Sequence, residues 1–175
     1  MIPNVHPIFV HFTVALFSIS FILYLLTYYA RYQNIISMKM INEIEVTARW
    51  CLWLSAFITI FTAIAGFYAF NTVSHDAPSH IAMTNHRNWA IPTAFTIILL
   101  SIWSAFDYLK LKRISFLFII GMFVGQGLLL STAWRGGELV FRYGLGVMSL
   151  PKSEGTEHHH EDKNNNAAPH SHDEH

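Results

Sequence analysis

Apolar positions in this chain fall into four long blocks, at about 8–30, 50–70, 89–109 and 114–134, with almost no charge inside any of them. A bilayer's hydrocarbon core of about 30 Å is crossed by roughly 20 apolar residues of helix, and each block meets that length. The second reads WCLWLSAFITIFTAIAGFYAF, the third WAIPTAFTIILLSIWSAFDYL and the fourth SFLFIIGMFVGQGLLLSTAW. The pattern predicts an all-α, integral membrane four-helix bundle over residues 1–150, ending in a glycine-rich juxtamembrane segment. Residues 151–175 form a tail without apolar periodicity, expected to be disordered in the absence of metal.

Composition agrees with the pattern. The 175 residues are 53% apolar, 15% aromatic and only 13% charged, which is too greasy for an ordinary soluble domain of this size. The first block does not read as a cleaved leader, because no Lys or Arg precedes Arg31 and its apolar run is too long for a signal peptide. Its exit, LLTYYARY, looks like an interfacial tyrosine belt.

Lys and Arg in short loops set orientation. Arg31, Lys39 and Arg49 lie between the first two blocks, and Lys110, Lys112 and Arg113 between the last two, whereas the hairpin NTVSHDAPSHIAMTNHRN holds only Arg87. This predicts a multi-pass protein of the cytoplasmic (inner) membrane with both termini on the outer, periplasmic side. Arg135 and Arg142 count the other way, with Glu138 between them.

The same topology gathers histidine. His6, His11, His75, His80 and His86 are all the histidines outside the tail, and an even number of crossings returns every one of them to the outer face. Pro7 suits the first turn of the first helix, leaving His6 near its cap and His11 one turn inside. In the hairpin, Asp76 and Pro78 signal a turn, Ser79 is the expected N-cap of a short segment through His80 and His86, and Pro92 is expected to kink the third helix near Asn88. Gly66, Gly121, Gly125 and Gly127 are expected to let helices approach closely.

Three motifs carry a resemblance. HPIFVHF at 6–12, HRNWAI at 86–91 and GGELVFRYGLGV at 136–147 are similar to the opening HPxxVHF-type, middle histidine and closing GGxLVxxxGxGV-type elements of the DUF2231 family of small predicted membrane proteins. The likeness covers roughly 3–148. Thr13 stands where many members carry proline, implying a less kinked start to the first helix. The resemblance implies the membrane fold and draws attention to the histidines; it names no ligand.

The residue types leave three function classes open. A neutral imidazole ligates iron, zinc or copper, and two from different helices can sandwich a b-type haem. Cys51 is the single cysteine and no CxxCH occurs, so covalent haem attachment is excluded. His11 with His86 is the expected axial pair, with Phe9, Phe12, Phe67 and Trp89 as wall and Arg87, Arg135 or Arg142 meeting the propionates. A redox subunit of this kind would work with a redox partner. The segment RGGELVFRYGLGV is too short and glycine-broken to span again and is expected to fold back as a cap, with Glu138 pairing to Arg135 or Arg142 or orienting an imidazole.

The second class is metal handling. His158, His159, His160, His170, His172 and His175 stand among six carboxylates in the tail, a donor set suited to Zn, Cu or Ni. The third is an accessory structural subunit without a cofactor, alone or as a homo-oligomer. Solvated loop histidines and an incidental metal-binding tail are the bland counterparts of the first two. No GxSxG, HExxH or P-loop sequence is present, so independent catalysis is not expected. The lipid bilayer is the one partner the composition demands, and nothing points to nucleic acid.

Overall fold

A computed structural model describes residues 5–33, 36–73, 76–145 and 147. They form four helices, α1 (His6–Gln33), α2 (Met38–Thr72), α3 (Ala77–Leu109) and α4 (Phe116–Phe141), all long and apolar enough to span a membrane. Successive helices run antiparallel around a square, with α1 closing weakly on α4 and most intimately on α2.

The buried stripe explains the closeness of α1 and α2. On α1 it is Thr13, Phe17, Ser20, Tyr24 and Thr27, spaced alternately four and three apart, so all lie on one side of the helix. Lipid offers no hydrophobic drive between helices, and small or hydroxylated residues at the seam let backbones approach while hydrogen bonds add specificity. Accordingly Ser20 donates to the Ala48 carbonyl at 2.8 Å, Ser55 donates to the Thr13 carbonyl at 3.3 Å, and the Thr13 and Thr62 hydroxyls meet at 3.0 Å. The apolar centre is Phe17, Leu52, Ile97 and Met122, all fully buried. Large apolar side chains such as Ile22, Ile64, Phe95 and Phe123 point outward instead, as a bilayer requires.

The helices exceed the apolar blocks. At about 1.5 Å per residue, the 35 residues of α2 run about 52 Å, well past the roughly 30 Å hydrocarbon core. Its start is fixed by Ser37, whose hydroxyl accepts from the Met40 N–H, and the charged first turns are held by Glu45, which bridges Arg49 at 3.0 Å and Arg31 at 2.7 Å. Likewise α3 begins well before residue 89. Its N-cap is Asp76 rather than Ser79: the Asp76 carboxylate accepts from both the N–H and the hydroxyl of Ser79, and Pro78 occupies the first turn. α3 then runs on through Pro92 to Leu109 without a break.

The segment after residue 134 does not fold back; α4 continues through Gly136 and Gly137 to Phe141 and stops at Gly144, whose φ of 61° suits glycine and whose N–H returns to the Val140 carbonyl. Glycine weakens a helix in water, but here packing against α3 overrides that propensity. Gly121 and Gly125 do sit at close approaches, since a methyl group on either would meet Leu100 or Phe17 at 2.8–2.9 Å, whereas Gly127 faces open space.

Candidate functional site

The first residues of α1, the last third of α2, the first turns of α3 and the end of α4 share one end of the bundle. His6 opens α1 and reaches across to α2, where its Nδ1 lies 3.0 Å from the Thr62 carbonyl. A carbonyl only accepts, so Nδ1 carries the proton and a neutral His6 presents its lone pair at Nε2. This is the second bond by which ligating histidines are commonly oriented. The ring stands over Gly66, where a Cβ would come within 3.0 Å of His6 Cε1.

His86 repeats the arrangement on the opposite pair of helices. From α3 it packs on α4 at Gly136, where a Cβ would lie 3.2 Å from His86 Cε1. Its Nδ1 is buried and makes no hydrogen bond of good geometry, with the Thr132 backbone of α4 beside the ring as Thr62 is beside His6. His6 and His86 are near enough for a charge on one to be felt by the other, and Arg135 acts on His86 in the same way. Two half-buried imidazoles from nonadjacent helices, each seated on a glycine of its neighbour, are thus brought together at the bundle end.

The other expected residues are distributed around this pair. His11 is exposed, and its Nδ1 donates to the Pro7 carbonyl of its own helix; it is His6, not His11, that approaches His86. His80 is exposed with its ring 5.7 Å from that of Phe70. Arg87 lies 4.8 Å over the Phe70 ring, and Arg135 lies 4.1 Å over Trp89 while donating to the Ser131 carbonyl. Glu138 pairs with Arg142 at 3.5 Å, one helical turn on, and not with Arg135. Of the expected wall, Trp89 is half-buried, whereas Phe12 and Phe67 are about half exposed. His75 and the six tail histidines lie outside the described residues.

Among the described residues no three His, Cys, Asp or Glu side chains gather as a metal-binding group. Among the described residues, the half-buried imidazoles at this end of the bundle are His6 and His86, with His11 and His80 exposed beside them. Thr62 escaped the sequence reading because its contribution is a backbone carbonyl, which no pattern of side chains marks.

Residues 2–149 match a family model described as a predicted membrane protein, DUF2231. No curated protein and no solved structure matches the chain.

Proposed function

The chain belongs to the DUF2231 family of predicted membrane proteins, and on that footing we propose that it is a redox subunit of the cytoplasmic membrane, holding a b-type haem between His6 and His86. The observation that carries this reading is the donor set: two half-buried imidazoles from α1 and α3, each seated on a glycine of the neighbouring helix, with the His6 tautomer fixed by the Thr62 carbonyl and the Thr132 backbone beside His86. A haem iron takes four nitrogens from its macrocycle and needs only two from protein, whereas a structural zinc needs about four ligands. Glycines 66 and 136 provide the close seats that hold both rings, and Arg87 supplies a cation at the membrane edge for a propionate. When bound, the haem would supply one-electron chemistry; the chain's own part is to fix ring orientation and to exclude water. Cys51 lies 11 residues along α2 from Thr62, about 16 Å along the axis, so thioether attachment near the pair is out of reach.

The test is spectroscopic. Full-length protein purified in detergent from haem-replete cells is expected to show a Soret band that shifts on dithionite reduction. His6→Ala and His86→Ala should each remove it, and His11→Ala should keep it. A colourless wild-type protein, or full spectra in both the His6 and His86 variants, rejects the haem and leaves the metal-handling and accessory-subunit readings in its place.

A further inference from the structure

Beside the histidine pair, but on a different set of side chains, α3 and α4 flank an open cavity of about 150 Å³ lined by Ile81, Asn85, Arg135, Glu138, Arg142 and Tyr143. Residues 135, 138 and 142 are three and four apart, so α4 presents them on one face, and residues 81 and 85 are one turn apart on α3. The site has two guanidinium groups against a single carboxylate. That carboxylate is already engaged by Arg142 at 3.5 Å, and one Arg135 nitrogen is spent on the Ser131 carbonyl while its plane rests on Trp89. The cavity thus keeps an excess of N–H donors over acceptors, with Asn85 and Tyr143 adding an amide and a phenol at the rim. Ile81 supplies an apolar wall. Because α3 begins and α4 ends here, the cavity sits at the headgroup level of the bundle.

We propose that this cavity binds a phosphate-type oxyanion at the membrane surface. Planar guanidiniums hold phosphate through paired, charge-assisted hydrogen bonds, and basic pockets between membrane helices take lipid headgroups by the same chemistry. The oxyanion can come from a lipid headgroup or from free phosphate. The inference is independent of the haem reading, since it uses none of the histidines.

The experiment uses delipidated full-length protein in a nonionic detergent and calorimetric titration with three probes: dihexanoyl phosphatidic acid, inorganic phosphate, and dihexanoyl glycerol, which lacks the phosphate. Saturable binding of phosphatidic acid alone identifies a headgroup site, and comparable binding of inorganic phosphate identifies a free-oxyanion site. Arg142→Gln, on an exposed side chain that folding does not need, should weaken binding about tenfold, the scale of one charge-assisted hydrogen bond. Glu138→Gln removes the competing carboxylate and should tighten it, a gain that misfolding cannot mimic. The proposal is overturned if neither phosphate probe binds saturably, if dihexanoyl glycerol binds as well as phosphatidic acid, or if both substitutions leave affinity unchanged.

Discussion

Leu111, in the turn from α3 to α4, has a φ of 52°, in the left-handed region that a branched side chain adopts only at a cost. The backbone demands it. The Lys112 N–H returns to the Asp107 carbonyl at 2.9 Å and the Leu111 N–H to Tyr108 at 3.1 Å, a helix-ending pattern usually built on glycine. The Leu111 side chain is 91% exposed and contributes little packing. Leu111→Gly is therefore expected to stabilise the protein by about 0.5–1 kcal/mol, the relief of φ strain exceeding the added freedom of the unfolded chain. Denaturation in mixed micelles measures it, and a loss of stability would mean that the leucine makes a contact worth more than its strain. Residue by residue, the chemistry of the candidate site was legible only in part. That histidine would cluster at one end followed from counting crossings, but His6 and His11 could be ranked only once the helix phase was known. His11 lies five residues on, nearly a turn and a half, and so turns away from the seam that His6 faces.

At the scale of elements, the same substitution at two glycines of α4 separates close packing from mere helix propensity. A Cβ at Gly125 would stand 2.8 Å from the Phe17 ring and 3.2 Å from Leu100, and Phe17 is fully buried with no room to yield. Gly125→Ala should cost about 1–3 kcal/mol, as overpacked cores do. Gly127 meets nothing within 4 Å, so Gly127→Ala should be neutral or mildly stabilising. Thermal denaturation in detergent compares the two; equal effects would show that α4 does not pack through Gly125. The existence of four helices was legible because each apolar block matches the thickness of hydrocarbon. Their ends were not. The first 12 residues of both α2 and α3 carry polar or charged side chains that read as loop, yet once a helix leaves the bilayer its backbone bonds persist, capped by Ser37 and Asp76. The Gly136–Gly137 pair misled for the opposite reason, since propensity argues for a break and the seat for His86 keeps the helix whole.

The whole molecule is asymmetric along the bundle axis. One end carries Arg31, Lys39, Arg49, Lys110, Lys112 and Arg113, whereas the described residues of the other carry only Arg87, Arg135 and Arg142. The tyrosines share the bias: Tyr28, Tyr29, Tyr32 and Tyr108 all lie toward the first end, where Arg49 also stacks 4.5 Å from the Tyr108 ring. Retention of Lys and Arg on the cytoplasmic side predicts that the histidine pair and both termini lie outside. The bias is a count, not an energy of folding, because the bundle packs identically in either orientation and only the membrane distinguishes its ends. It is tested in whole cells with an impermeant maleimide, after Cys51→Ser removes the native thiol. A single cysteine introduced at Asn164 should react and one at Asn42 should not. Labelling at Asn42 with protection at Asn164 would turn the molecule over, and the pair His6 and His86 would then face the cytoplasm.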